Sequence, residues 1–360
     1  MARQRTTEIL APESIATAGT KILDLNTRDP ISRISVQIKV RNVGWVPVGH
    51  PADVIKKIEV VDGSHVLFQM TGADAAALGF YKTKMQPGDI LNYRDISDMR
   101  FTADIFFGRY LWDRELAVDP AQFNNLQLRV THDKALGGNT PAAGTLRILA
   151  DVFDEDPPTP IGHMLAKEQY RFTPVATTWY YIDLPTDYDI SMLMVGLNDS
   201  TEAPNLNIGE IKLSQDQDKH VLLEMLGHDY VQYICPFFPV WTDRFYGQVD
   251  DSDYRDYWVA STYENRMGII QNEDTNGTYV VRSTQGQVKP IMGEQANAFE
   301  AVCAGDLPFG MIPIPFGHQQ DMDDYWKAIP GGSKRLDIKT HGNVDTSHTA
   351  KIIVEQKFLY

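Results

Sequence analysis

The sequence is poor in cysteine, with only Cys235 and Cys303 among 360 residues. Two cysteines are too few for the disulfide framework that holds many small secreted domains together. Both lie in the second half of the chain. We therefore expect two reduced, partly buried thiols, and the alternative is one bridge that closes the segment between them.

Long apolar runs and positive charge are also scarce. No apolar run approaches the roughly 18 residues that a membrane-spanning helix needs. The first residues carry Arg3 and Arg5 without the hydrophobic run of a secretory signal, so residues 1–20 are interpreted as a mobile N-terminal arm. Lysine and arginine number 33 against 48 acidic residues, a formal net charge of −15. This balance argues against a general or sequence-specific nucleic-acid surface, which needs clustered basic residues, and predicts salt-sensitive assembly.

Short catalytic motifs are missing. The sequence has no G-x-S-x-G, no G-x-G-x-x-G, no P-loop, no C-x-x-C and no His-x-His pair. These absences exclude the common nucleophile-elbow, dinucleotide and nucleotide-phosphate sites, and they disfavour a bicupin oxygenase. Nothing near either cysteine marks it as an activated nucleophile. We expect no catalytic, cofactor-binding or metal-binding residues and no cofactor.

An internal repeat is the most informative feature that is present. HVLFQMTGAD at residues 65–74 and HVLLEMLGHD at residues 220–229 share six of ten positions. Further matches occur in the same order along the chain: 23–25 with 182–184, 31–34 with 190–193, 55–60 with 208–213, 105–108 with 314–317, 126–129 with 336–339 and 147–151 with 351–355. The repeat is too long for a solenoid, so each copy is predicted to be a whole domain.

Alternating apolar and polar residues predict strands in both copies. Between Arg33 and Val40 every even-numbered side chain is apolar, as expected of a half-buried strand. The same period predicts that one face of each repeated peptide points into a core: Val66, Phe68 and Met70 in the first copy, and Val221, Leu223 and Met225 in the second. Helical periodicity is scarce and the connections are rich in Gly, Pro, Asn and Asp. The predicted fold class is therefore all-β, with two tandem antiparallel β-sandwiches.

The end of each repeated peptide predicts a change of direction. Gly72 and Gly227 are expected to end the strands with unusual backbone angles. Asp74 and Asp229 are placed to act as N-caps of short helices at residues 75–81 and 230–234. A strand, a hinge and a helix cap were thus copied together.

Proline and length differences indicate the domain boundaries. The acidic stretch VFDEDPPTPIGHM has three prolines within four residues, which is typical of a stiff, extended linker. We assign residues 1–20 to the arm, 21–156 to the first sandwich, 157–174 to the linker and 175–360 to the second sandwich.

The second copy has about 54 extra residues after its repeated peptide, and they are rich in aromatic side chains. Asn276-Gly277 within this material is a strong hairpin signal. We predict an inserted, projecting subdomain at about residues 235–310, with a long loop folded over its own sandwich as the alternative.

Metal binding has two weak candidate signals. His220, Glu224 and His228 recur at a spacing of four, but the first copy has Gln69 and Ala73 in place of the last two, so the metal interpretation is disfavoured. Two acidic clusters attract attention as oxygen ligands for calcium: Asp250, Asp251, Asp253 and Asp256, and then Asp321, Asp323 and Asp324. Neither cluster has the spacing and glycine of a dedicated calcium loop, and solvated acidic turns are the preferred interpretation.

The repeated block, the Pro-rich linker DEDPPTP and the insertion in only one copy form an arrangement that resembles the double jelly-roll major capsid proteins. These proteins build the shells of tailless icosahedral viruses, many of them bacteriophages with an internal membrane. The resemblance covers residues 22–360 and rests on architecture. It implies two jelly rolls, each with eight strands in two sheets.

The resemblance also implies a structural function. Three chains would form a homotrimer with a pseudo-hexagonal outline that tiles the facets of a virion, beside neighbouring capsomers and minor capsid or penton proteins. The arm would lie inside, where Arg3 and Arg5 meet anionic headgroups of an internal membrane. The protein would be made in the host cytoplasm. The alternative is a two-sandwich carbohydrate-active enzyme or lectin, because paired carboxylates come together only in the fold.

Overall fold

The computed structural model describes residues 3–44, 47–155, 157–197, 204–249, 257–258, 261–272, 278–280, 287–288, 297–342, 344, 346 and 349–360. Strands account for most of these residues, and the helices among them are short. Within the described part of the chain, no helix is long and apolar enough to cross a membrane.

The first half of the chain forms two four-stranded sheets. Its elements are β1 (Arg3–Ser14), β2 (Ala18–Asp24), β3 (Ile31–Arg41), β4 (Ile55–Asp62), β5 (His65–Met70), α1 (Gly72–Thr83), β6 (Leu91–Asn92), β7 (Asp98–Phe106), β8 (Leu126–Asp133) and β9 (Ala143–Asp154). One sheet has the order β1-β9-β3-β7 and the other has the order β2-β8-β4-β5. Short 3-10 helices follow at Pro51–Val54, Pro120–Gln122 and Lys134–Leu136.

The second half repeats this plan strand for strand. Its elements are β10 (Gly162–Phe172), β11 (Trp179–Leu184), β12 (Asp189–Gly196), α2 (Pro204–Asn207), β13 (Ile208–Gln215), β14 (His220–Leu226), α3 (Gly227–Ile234), β15 to β20 of the insertion, β21 (Met311–Pro315), β22 (Lys334–Thr340) and β23 (Ala350–Leu359). The sheet orders are β10-β23-β12-β21 and β11-β22-β13-β14. Hence β10 takes the place of β1, β14 that of β5, and β23 that of β9. Each half is an eight-stranded, two-sheet sandwich, and the predicted fold class is confirmed.

The two halves also have a shift of strand register at equivalent positions. In the first half the register between β1 and β9 shifts between Glu8 and Leu10. In the second half the register between β10 and β23 shifts between Glu168 and Tyr170. A bulge displaces every later side chain on its strand, so the agreement relates the two halves residue by residue.

The two halves are joined through one shared sheet and one shared core. Strand β5 pairs in parallel with β10, with Phe68 opposite Ala166, which links two four-stranded sheets into one of eight strands. The first core contains Phe68 together with Met192, Met194 and Ile353 from the second half. A separate second core lies between the sheets of the second half. The sandwiches are therefore docked on each other through apolar contacts.

Most strands of the insertion form one sheet with β6 of the first half. Its strands are β15 (Trp241–Val249), β16 (Tyr257–Trp258), β17 (Thr262–Asn272), β18 (Thr278–Val280), β19 (Gln287–Val288) and β20 (Asn297–Pro308), preceded by a 3-10 helix at Cys235–Phe237. Strand β15 pairs with β6 of the first half, and Trp241, Phe245 and Phe299 enter the first core. The alternative of a long loop folded over its own sandwich is therefore wrong, because the insertion packs on the other half. The Asn276-Gly277 turn lies outside the described residues, although β17 and β18 on either side of it pair antiparallel.

The structure corrects two assignments made from composition. Residues 3–14 of the expected mobile arm form β1, an edge strand paired with β9. Residues 162–172 of the expected linker form β10, which pairs with β23 and β5. A strand that gains its hydrogen bonds from one sheet edge needs no apolar alternation of its own, so β1 gives little signal in the sequence.

The hinge of each repeat is built differently from the expectation. Thr71 caps α1, because its side chain accepts a hydrogen bond from the backbone N–H of Asp74 at 3.2 Å, whereas α3 starts after Leu226 without a side-chain cap. The two aspartates lie within the first helical turns. Gly72 and Gly227 also lack positive φ angles. They are needed for close approach, since a Cβ on Gly227 would lie 2.1 Å from a backbone oxygen of β13.

Candidate functional site

The residues considered for metal binding do not converge. His220, Glu224 and His228 lie on the exposed surface of β14 and α3. Among the described residues, no group of three or more His, Cys, Asp or Glu side chains is placed to hold a metal ion. The acidic cluster at residues 250–256 lies outside the described part of the chain.

The second acidic cluster forms a short 3-10 turn, Met322–Asp324. The side chain of Asp321 caps this turn by accepting a hydrogen bond from the backbone N–H of Asp323 at 2.9 Å. The backbone N–H of His318 donates to Asp324 at 3.1 Å. These carboxylates organise the loop itself.

Both cysteines are buried and neither is in a disulfide, so the bridge between Cys235 and Cys303 is not formed. Burial raises the pKa of the Cys303 thiol to about 12. A thiol is reactive as its thiolate, and this environment disfavours the thiolate.

One buried cluster brings together residue types known from hydrolases. Ser261 Oγ lies 3.1 Å from His50 Nε2 and 3.4 Å from Asp243 Oδ1. His50 Nδ1 accepts a hydrogen bond from the backbone N–H of Ala52 at 3.1 Å, which leaves the ring proton on Nε2, facing the serine. Burial lowers the pKa of His50 to about 3 and raises that of Asp243 to about 6. No basic nitrogen faces the hydroxyl, so this cluster ties the insertion to the first half and does not activate a nucleophile.

The contact between the two halves is built around α1. Lys82 Nζ lies 2.5 Å from Glu355 Oε1, and both side chains are almost completely buried. Asp74, at the start of α1, forms a second ion pair with Lys351 of β23 at 2.5 Å. Paired charges at a buried contact specify orientation, because a misplaced partner leaves a charge without compensation. Helix α1 is thus held on one face of the β10-β23-β12-β21 sheet.

The equivalent surface of the second half is uncovered. Leu67 in β5 is completely buried, whereas its repeat partner Leu222 in β14 is 46% exposed. We define the β14–α3 surface by its exposed apolar side chains: Val221, Leu222, Met225, Leu226, Tyr233 and Phe237. The prediction that one face of each repeated peptide is buried is confirmed for Phe68 and Met70 but wrong for Val221 and Met225. The reason is position, because β14 is an edge strand of its sheet.

A polar, partly exposed surface lies on the first half. We define the outer face as the side of the β1-β9-β3-β7 sheet turned away from the first core, with Arg33, Ser35, Asp104, Arg147 and Asp151. Arg33 bridges Asp151 at 2.7 Å and Asp104 at 3.3 Å. In the second half the corresponding face is covered by α1 and combines Met192 and Met194 with the paired Lys351 and Glu355.

A groove of about 700 Å³ adjoins the β14–α3 surface. It lies between the end of α1 and α3, with Tyr81, Leu222, Tyr233 and Phe237 among the residues that line it. Its lining therefore overlaps the exposed apolar side chains of the second half. The residues of these two surfaces were not predicted from the sequence, and the signal for the β14–α3 surface was the apolar character of its repeated peptide.

Comparison with known proteins agrees with this architecture. No protein-family model and no curated protein sequence matches this chain. Among solved structures, the major capsid protein P2 from bacteriophage PM2 is 12% identical, with 99% of this chain and 98% of that chain covered and a TM-score of 0.53. A chain of the quasi-atomic PBCV-1 virus capsid is 10% identical, with 99% and 94% covered and a TM-score of 0.51. The chain has the double jelly-roll fold, which it has in common with these viral capsid proteins.

Proposed function

We propose that this protein is a structural major capsid protein whose homotrimers tile an icosahedral virion shell. The observation that carries the proposal is the duplication of a complete eight-stranded sandwich, aligned over 99% of the chain with a bacteriophage major capsid protein. A trimer of such chains presents six similar sandwiches, and a nearly hexagonal unit fills a flat facet without gaps.

The surfaces of the chain suit repeated self-association. The β14–α3 surface exposes six large apolar side chains, and contiguous exposed apolar patches are typical of interaction sites. A trimer carries three times the charge of −15 of one chain. Neighbouring trimers therefore repel each other until salt screens the charge, which makes shell growth dependent on ionic strength.

Assembly state tests the proposal. Analytical ultracentrifugation at micromolar concentration in 0.15 M salt is expected to give trimers of the 40.6 kDa chain. Electron microscopy over a salt series should then show sheets or shells. A protein that stays monomeric under every ionic condition would contradict the capsid proposal. The alternative of a carbohydrate-active enzyme or lectin is not favoured by the solved structures that the chain resembles.

Further partners and the location follow from this role. We propose contacts with neighbouring capsomers and with minor capsid or penton proteins, a place in the virion after synthesis in the host cytoplasm, and no enzymatic activity or sequence-specific nucleic-acid binding. Contact with an internal membrane would use Arg3 and Arg5, of which Arg5 forms an ion pair with Asp154 at 3.2 Å. Co-sedimentation with anionic vesicles tests that contact, because headgroups must displace Asp154.

A further inference from the structure

We propose that the β14–α3 surface of one chain docks on the outer face of a second copy of the same chain. The docking repeats the way in which α1 and β5 contact the second half within one chain. It rests on the proposed function, since it names the surface through which the proposed trimer forms.

The first argument for this docking is that strands of the two halves are equivalent. Within the chain, β5 pairs in parallel with β10, and β10 corresponds to β1 down to the position of its bulge. Strand β14 corresponds to β5 in the repeat, and both β14 and β1 are edges of their sheets. Each chain therefore makes the contact once internally, between β5 and β10. It also has the two equivalent strands, β14 and β1, which do not pair with each other and lie at the edges of their sheets. Two chains can satisfy each other only head to tail, and such contacts continue until a ring closes.

The register of the contact follows from the same equivalence. Phe68 and Gln69 stand opposite Ala166 and Lys167 within the chain. Their repeat partners place Leu223 and Glu224 of one copy opposite Thr6 and Thr7 of the next. Pairing of this kind would also cover an apolar strand edge, which is otherwise a template for aggregation.

Charges on the two surfaces agree with this arrangement. The ion pair between Asp74 and Lys351 maps onto Asp229 of one copy and Arg147 of the next, through repeat matches 65–74 with 220–229 and 147–151 with 351–355. Asp229 is exposed. Arg147 is partly exposed and contacts Glu8 at 2.7 Å, and a guanidinium has enough donors to bind both carboxylates.

The second ion pair of the internal contact is replaced in a consistent way. Lys82 lies in the last turn of α1, whereas the shorter α3 ends at Ile234 and contains no lysine. Helix α3 would therefore bring no lysine to the outer face. Glu355 corresponds to Asp151, and Arg33 from the same sheet neutralises this carboxylate at 2.7 Å. Asp151 would therefore not be left as an unpaired buried charge on docking, which is the main electrostatic cost of an interface.

The outer face is polar where its counterpart is apolar, and this difference has a physical reason. Arg33 and Ser35 stand where the second half has Met192 and Met194, which are buried in the first core. The internal contact is covered from the moment the chain folds. A contact between chains must remain soluble until the partner arrives, and such interfaces are about as polar as ordinary protein surface.

Cysteine cross-linking of the full-length protein tests the register. Chains with Thr7→Cys mixed with chains with Glu224→Cys are expected to form disulfide-linked dimers under mild oxidation, and neither variant alone should do so. Paired strands bring Cα atoms within disulfide range, and both native cysteines are buried. Mixing T7C with Asp183→Cys is the matched control, because Asp183 is exposed and lies on β11, at the opposite edge of the sheet from β14.

Charge reversal tests the ion pair. Asp229→Arg and Arg147→Asp are each expected to raise the trimer dissociation constant about tenfold, because each trimer contains three such contacts. The double variant D229R/R147D should return it to within about threefold of the wild type. Asp183→Arg makes the same charge change at the opposite edge of the sheet and should have no effect. Circular dichroism checks that every variant is folded.

The outcomes separate the two proposals. Wild-type trimers that give no T7C–E224C cross-link and no rescue by the double charge reversal would overturn the docking proposal and leave the capsid proposal standing. A wild-type protein that never associates would overturn both. A chain with both T7C and E224C should give a cross-linked ladder that ends at three chains. A ladder that ends elsewhere would support the strand pairing but contradict the trimer.

Discussion

Leu67 and Leu222 occupy the same position of the repeat, and replacing each by alanine should have very different effects on the isolated chain. Leu67 is completely buried in the core shared by the two halves, whereas Leu222 is 46% exposed. Leu67→Ala removes a buried side chain and leaves a cavity, which costs about 3–5 kcal/mol of unfolding free energy. Leu222→Ala loses only about half of its transfer term and leaves no closed cavity, so we expect about 1 kcal/mol.

The free energies of unfolding of the two variants are best measured by guanidinium unfolding with tryptophan fluorescence as the signal. The protein concentration should stay below that at which chains associate. The two variants remove the same atoms from nearly the same peptide, so effects on the unfolded chain cancel to a large extent. Equal losses of stability would mean that β14 is covered within one chain, which would refute the distinction between the two edges. A cost under about 1 kcal/mol for Leu67→Ala would refute the shared core.

Four further changes probe the rest of the structure. Lys82→Met should lower the unfolding free energy by about 3–5 kcal/mol, because it leaves the carboxylate of Glu355 buried without its positive partner. Replacing both residues by methionine should recover most of this loss in the same unfolding assay. Burial lowers the pKa of His163 to about 3, so the buried ring stays neutral and causes no loss of stability above pH 6.5. Below pH 6.5 the free energy of unfolding falls by about 1.4 kcal/mol per pH unit, because the unfolded chain binds the proton that the folded chain excludes. Melting curves at pH 5 and pH 7 should therefore differ less in His163→Phe than in the wild type. Gly227→Ala should lower the melting temperature, because the new Cβ meets a carbonyl of β13, and an unchanged value would contradict the close approach. Deleting residues 240–305 should expose the first core to proteolysis, since side chains of the insertion pack into it; a resistant first half would show that the insertion is dispensable there.

Local patterns in the sequence were sufficient for the fold class. The alternation between Arg33 and Val40 predicted a half-buried strand, and Ile34, Val36, Ile38 and Val40 are buried in the first core. The period of two is a property of the extended backbone itself, so it survives in any strand with one solvated face. The ordered repeat matches predicted two similar sandwiches, and the sheets have the same order in both halves.

Structural features that depend on residues distant in the sequence could not be predicted from local patterns. The expected mobile arm is the edge strand β1, which takes its hydrogen bonds from β9, more than 100 residues away in the chain. Asp74 was expected to cap a helix, but it forms an ion pair with Lys351 of the other half. The Ser261 cluster joins side chains separated by 211 residues, and no short motif signals it.

The two repeated peptides have similar sequences but differ in burial, so they separate what the sequence determined from what the tertiary structure determined. By itself, the sequence determined that β5 and β14 are apolar strands followed by a glycine and a helix, because backbone geometry and side-chain alternation act over a few residues. Only the tertiary structure decided that β5 is buried against β10 while β14 remains an exposed edge. The burial of a strand depends on what lies beside it. Here β5 lies beside β10 of the second half, whereas β14 is the last strand of its sheet.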